Sequence, residues 1–160
     1  MIQRIQTVFL ILVVIGMFAY LFLPYWMKAD EISGSHVIFT AFFMKQIPGE
    51  NNESVITYTP YIYGGIGAVF AIIIASIEIF MYKNRLTQIK LGLVNSIIMS
   101  LTLFFSAWLA MKGQQHVMPA VSGSFEAGLF APVFSMIFNS LANRYIKKDE
   151  DLVRSIDRIR

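Results

Sequence analysis

Cysteine is missing from all 160 residues. Its absence removes disulfides, thiolate catalysis and cysteine-held metal or iron–sulfur centres in one step, and with them the quinone-linked thiol oxidases, which are also small four-pass proteins. Charge is scarce too: 14% of residues are Asp, Glu, Lys or Arg, where an ordinary soluble domain has ~25%. Histidine occurs twice, as His36 and His116. Both fall outside the apolar runs, which argues against haem ligation between spans, and their spacing to Asp30, Glu31 and Glu126 matches no metal-ligand pattern. No nucleophile elbow, phosphate loop or metalloprotease helix motif occurs. The expectation is a non-enzymatic protein with no cofactor, no metal and no nucleic-acid partner.

What the chain does have is apolar: hydrophobic residues make up 56% and the mean hydropathy is +0.61. Four uncharged runs dominate, Ile5 to Met27, Ser54 to Ile77, Leu91 to Met111 and Ala127 to Asn143, each bounded by charged residues. A helix rises ~1.5 Å per residue and a bilayer core is ~30 Å thick, so ~20 apolar residues are needed to cross. The pattern predicts an all-α membrane protein, a four-transmembrane-helix bundle forming a single domain over 1–160, with spans at about 5–27, 58–82, 91–111 and 127–146 and a tail from 147. The apolar centre of the first run, Val8 to Leu23, exceeds the ~7–15 residues of a signal-peptide core, and no small-residue cleavage pattern follows it. We read it as a retained span.

Orientation follows from the basic residues. Placing the N-terminus, the 83–90 loop and the tail on one side collects ten of them, and leaves only Lys28, Lys45 and Lys112 on the other. Short loops obey the positive-inside rule best, so both termini are expected in the cytoplasm. Tyr20, Tyr25, Trp26, Tyr58, Tyr61 and Tyr63 mark outer span ends, and Tyr82 and Tyr145 mark inner ones. In the longer outer loop, His36–Gln46 and Ser54–Thr59 read as two strands around a turn at Pro48–Glu53, a small extracytoplasmic hairpin. Asn52-Glu53-Ser54 fits the glycosylation triplet, a pattern frequent by chance.

Inside the spans, Gly64, Ala68, Ala71 and Ala75 share one helical face, as do Ser96, Ser100, Ala107 and Ala110. Lipid gives helices no hydrophobic reason to associate, so such stripes are first of all packing surfaces. Pro132 removes a backbone donor, so the fourth helix should start near it or bend.

Few residues carry chemistry. Glu78 is the one acid inside a predicted span, and an intramembrane acid is by default a functional suspect. It lies five residues before Lys83, however, and the stronger reading is structural: an ion pair with Lys83, Arg85 or Arg4. A proton or cation relay and a headgroup contact are the functional alternatives. Asn95, Asn139 and Asn143 sit at or near the inner halves of the third and fourth spans, where amides bond across helices. In the tail, Leu152, Val153, Ile156 and Ile159 form an apolar stripe on a short amphipathic helix that Asp149 can cap. Glu150 with Arg154 and Asp157 with Arg160 have ion-pair spacing. So short a helix frays alone and needs a surface, which the bilayer, the chain's own loop or a partner can provide. Arg4, Arg144, Lys147, Lys148, Arg154 and Arg158 are the candidate partner or lipid contacts.

Both ends also carry a resemblance. Met1-Ile2-Gln3-Arg4-Ile5-Gln6-Thr7, and the closing Leu141-Ala142-Asn143-Arg144 followed by Lys147-Lys148-Asp149-Glu150-Asp151-Leu152-Val153-Arg154-Ser155-Ile156-Asp157-Arg158-Ile159-Arg160, resemble the signatures of an uncharacterised family of small four-pass inner-membrane proteins of Bacteroidota. Ile159 stands where leucine is usual, which keeps the apolar stripe. The resemblance implies a bacterial inner-membrane location and no activity. Two functional classes follow: a membrane subunit or scaffold whose cytoplasmic ends dock a membrane-protein partner or the bilayer, which the sequence favours, and a small transporter or channel using Glu78.

Overall fold

The computed structural model describes residues 3–30, 34–49, 56–82, 84–116 and 121–157. Helix α1 (Gln3–Phe22) leads into strands β1 (Trp26–Asp30), β2 (Ser35–Phe39), β3 (Phe43–Ile47) and β4 (Thr57–Pro60). Helices α2 (Tyr63–Phe80) and α3 (Arg85–His116) follow, then the short β5 (Ser124–Phe125) and α4 (Ala127–Asp157). The strands form one antiparallel sheet in the order β4-β3-β2-β1-β5. The expected all-α four-helix bundle with a hairpin loop is therefore wrong: a five-stranded sheet is part of the fold.

The physical reason lies at two prolines. The residue before a proline is pushed out of the α region, and α1 ends at Phe22 just ahead of Pro24. Tyr25-Trp26-Met27, read as the last turn of a span, leave the helix, with Trp26 and Met27 entering β1. Pro60 likewise closes β4, so Tyr58 to Pro60 belong to the sheet and α2 starts at Tyr63. Hydropathy measures transfer from water and cannot tell an apolar strand from an apolar helix. The expected two-strand unit also changes: His36–Gln46 is a hairpin by itself, β2 paired with β3, turned over Thr40, Ala41 and Phe42. Residues 50–55, with the glycosylation triplet, lie outside the described residues.

Side chains alternate across a strand with period two. Trp26, Lys28, Val37 and Phe39 fall on the buried face, and His36 points away. That face caps one end of the helices. A side chain on Gly113 would strike the Phe39 ring, and one on Gly123 would strike Trp26. The Gly65 amide donates to the Ala41 carbonyl at 2.8 Å, and the Gly128 amide donates to the Pro24 carbonyl at 2.9 Å, seating α2 and α4 on the sheet.

Beneath the sheet, α1 packs against α2 and α4, and α3 packs against the same two helices. The small-residue stripe on α2 is wholly interior, with Gly64, Ala68, Ala71 and Ala75 buried, as close backbone approach requires. Pro132 lies inside α4, not at its start. The tail is not a separate helix, because α4 runs unbroken from Ala127 to Asp157 and Asp149 is an interior position of it. Among the described residues, Ile5–Phe22, Tyr63–Phe80 and Arg85–Gln115 are long and apolar enough to cross a membrane. That is compatible with a membrane location. α4 is less apolar because its uncharged stretch, Ala127 to Asn143, is short, ends at Arg144 and is diluted by Pro132, Ser135 and Asn139, of which Ser135 and Asn139 are turned inward.

Candidate functional site

The interior changes character from the sheet to the far end of the helices. Next to the sheet it is aromatic and satisfied. Tyr20 stacks on Tyr25 at 6.2 Å, Trp26 meets Phe39 edge-on at 5.2 Å, and the Tyr20 hydroxyl bonds Ser106 Oγ at 2.6 Å. Burial, reinforced by the neighbouring Tyr20 and Tyr61, pushes the Tyr25 phenol above its ordinary range. Lys28 is buried among these groups, its Nζ donating to the Gln114 carbonyl at 3.4 Å and lying 5.9 Å from the Trp26 ring. Burial pushes its ammonium below the ordinary value.

The far end is polar and unsatisfied. Glu78, Asn95 and Asn139 are each 0% exposed, and Gln6 and Gln88 are buried beside them. Their heights follow from contacts between antiparallel helices. Gly64 touches Tyr20, Gly67 touches Thr102, and Gln88 Nε2 donates to the Glu78 carbonyl at 2.8 Å. Counting along α1 and α2 from the first contact brings Gln6 level with Glu78, and the last puts Gln88 there as well. Asn139 Nδ2 donates to the Gly92 carbonyl at 2.7 Å and to Ser96 Oγ at 2.8 Å, which sets Asn139 level with Asn95 about one to two turns nearer the sheet. A Cα–Cβ bond tilts toward its helix N-terminus. Glu78 on α2 therefore leans toward the sheet, and Asn95 on the oppositely directed α3 leans away from it, so the two side chains lean toward each other along the bundle.

The expected Glu78 ion pair is not made by Arg85, whose Nη2 lies 3.0 Å from Asp149 Oδ2 and whose Nη1 donates to the Asp149 carbonyl at 3.4 Å. Lys83 and the Arg4 side chain lie outside the described residues. Among the described residues, both Glu78 carboxylate oxygens have no hydrogen-bond partner, nor do either polar atom of Asn95, Oδ1 of Asn139 and Asn143, and Nε2 of Gln6. Leaving one buried polar group unmade costs ~1–3 kcal/mol, and an uncompensated ion costs several. Such a concentration is unlike the rest of the core.

Gln6 and Gln88 were not among the sequence candidates. Gln88 fell in the expected 83–90 loop, yet Gln88, Asn95 and Thr102 are spaced by seven, a polar heptad that marks one face of α3. Gln6 lies one residue inside the first run, and no spacing pattern marks it.

The second candidate region is the outer surface of the last turns of α4. Arg144, Lys147, Lys148, Asp151, Leu152 and Ser155 line a groove of about 460 Å³. Arg154 pairs with Glu150 at 2.9 Å on the neighbouring surface, Leu152 and Val153 are exposed, and Arg158 lies outside the described residues. His36 is exposed on β2, Glu31 lies outside the described residues, and among the described residues no three His, Cys, Asp or Glu side chains are grouped to hold a metal ion.

These features define a class: four mutually packed helices, three of them of membrane-crossing length and apolarity, capped at one end by a sheet and polar inside at the other. The chain belongs to the family described as a domain of unknown function, DUF4293, whose model matches residues 2–159. No curated protein matches it.

Proposed function

We propose that this chain is a non-enzymatic subunit of a bacterial inner-membrane complex, crossing the bilayer four times with both termini in the cytoplasm and the sheet outside. The direction of the helices supports the topology. With α1, α2 and α3 spanning, α4 runs antiparallel to α1, as the successive contacts of Gly128 with Pro24, Gly16 with Ser135 and Phe9 with Tyr145 require, and its Ser135 and Asn139 side chains face the interior. Lys28, Lys45 and Lys112 lie at the sheet end, while Arg85, Lys90, Arg144, Lys147, Lys148 and Arg154 lie at the other, which the positive-inside rule makes cytoplasmic.

One observation carries the role. α4 has 31 residues, hence a length of ~46 Å against a bilayer core of ~30 Å, so its last turns stand clear of the apolar layer. Arg85 grips Asp149 and braces that projection against α3. The basic groove on its outer surface then forms a rigid docking surface for an acidic face of a membrane-protein partner. The test is native electrophoresis of membranes solubilised in mild detergent. We expect wild type to migrate in a complex larger than the free chain, and the triple reversal Arg144→Glu, Lys147→Glu, Lys148→Glu to release it at unchanged abundance. Migration of the wild type as the free chain, or a complex indifferent to the reversal, sinks the reading.

A further inference from the structure

The polar atoms left over around Glu78 are unbalanced. Among the described residues, five buried oxygens here are without a partner: both of Glu78 and one each of Asn95, Asn139 and Asn143. Among the described residues, only two buried amide nitrogens, Gln6 Nε2 and Asn95 Nδ2, are without an acceptor. Amide reversal does not remove the excess, since turning Asn143 alone still leaves four oxygens against three nitrogens. Asn139 Nδ2 already donates to the Gly92 carbonyl and to Ser96 Oγ, which fixes its orientation, and both polar atoms of Asn95 are orphaned whichever way it is turned. The cluster is rich in acceptors, short of donors, and carries one formal negative charge. What completes it is positive, accepts several oxygen ligands and bears a single charge.

We propose that Glu78, Asn95 and Asn139 form a buried binding site for a monovalent metal cation of the sodium class. Glu78 supplies the balancing charge, and the amide oxygens of Asn95 and Asn139 replace water in the ion's coordination shell, as hard oxygen ligands do. Asn143, one turn beyond Asn139 and against Gly92, offers a further oxygen on the side away from the sheet. Ala71 and Ala75, both fully buried on the Glu78 face of α2, place no bulky α2 side chain beside the carboxylate. A divalent ion fits poorly, since one carboxylate leaves it half neutralised and Mg²⁺ or Ca²⁺ demands six or more oxygens. The described cations nearby do not compete: Arg85 is engaged by Asp149. When no metal ion is bound, a proton neutralises the carboxylate, so binding is an exchange: one cation enters, the Glu78 O–H bond breaks, and one proton leaves to water.

The exchange is measurable on the full chain in detergent or nanodiscs. Adding NaCl at pH 7 to a weakly buffered, sodium-free sample should release about one proton per chain, read with a pH dye, and N-methylglucamine chloride at equal ionic strength should release none. Thermal midpoints should rise with sodium and not with N-methylglucamine. Glu78→Gln keeps the shape and removes the exchangeable proton, and should abolish both responses. Asn95→Ala should weaken the sodium midpoint by about tenfold, the loss of one ion–oxygen contact. The Arg144/Lys147/Lys148 reversal should leave both responses intact, which separates this site from the docking surface. Stability that follows pH but not the cation would overturn the proposal and leave Glu78 as a neutral buried acid. Sodium responses that survive in Glu78→Gln would overturn it too.

Discussion

The two ends of the helix core solve opposite problems. At the sheet end, Tyr20, Tyr25, Trp26 and Phe39 fill the space and the buried Tyr20 hydroxyl has Ser106 to bond. At the far end, Gln6, Glu78, Asn95 and Asn139 fill a comparable position, and among the described residues Gln6 Nε2, both Glu78 oxygens, both polar atoms of Asn95 and Asn139 Oδ1 have no partner. One end is built for rigidity. The other holds polar groups that no packing argument requires, and a fold that retains them without internal partners points to something outside the chain that completes them.

Mutations that shrink the sheet end should destabilise, and those that neutralise the far end should stabilise; a shared sign would break the comparison. Trp26→Ala should have the largest effect, a loss of about 3–5 kcal/mol, because it empties a site bounded by Phe39, Gly113 and Gly123. Thermal unfolding in detergent reads it. Glu78→Gln should act in the other direction in sodium-free buffer near pH 8, gaining about 1–4 kcal/mol, because the amide is neutral without the proton that the buried carboxyl must take up and the unfolded chain gives up.

Tyr20→Phe should cost about 1 kcal/mol, since Ser106 keeps its bond to the Thr102 carbonyl while the tyrosine bond is lost. Lys28 sharpens the comparison through pH. Its folded-state affinity for a proton lies below the ordinary value of 10.5, so the unfolded chain binds the proton more tightly. Stability should therefore rise as pH increases through the window below 10.5, and Lys28→Met should flatten that rise in unfolding midpoints. The smallest change belongs to Arg85→Gln, about 0–1 kcal/mol, because its pair with Asp149 is partly exposed. That variant should instead loosen the end of α4, seen as faster amide exchange beyond Asp149.

How much was legible divides by the kind of signal. The helices of α2, α3 and most of α1 follow from run length and apolarity, and burial of the Gly64 to Ala75 stripe follows from small-residue spacing. The sheet was partly hidden: β2, β3 and β4 overlap the segments read as strands, but Tyr25 to Met27 are uncharged like the span they adjoin, and only Pro24 signalled a change of backbone there. The tail was misread for a related reason: a charged stretch after an apolar one suggests a boundary, yet nothing between Asn143 and Asp149 breaks a helix. In the site, Glu78, Asn95 and Asn139 were visible as polar exceptions. Gln6 and Gln88 were not, because each sits at the edge of its helix and its burial depends on which neighbour covers it.

The amino-acid order by itself determined where greasy helices are long enough to cross lipid and which few polar residues interrupt them, since both follow from local spacing and transfer cost. Only the folded arrangement decided that Arg85 belongs to Asp149, that Glu78 is left alone among amides, and that apolar segments beside two prolines pair edge to edge. Partner choice is a contest between residues distant in the chain, and its outcome is set by helix register and burial.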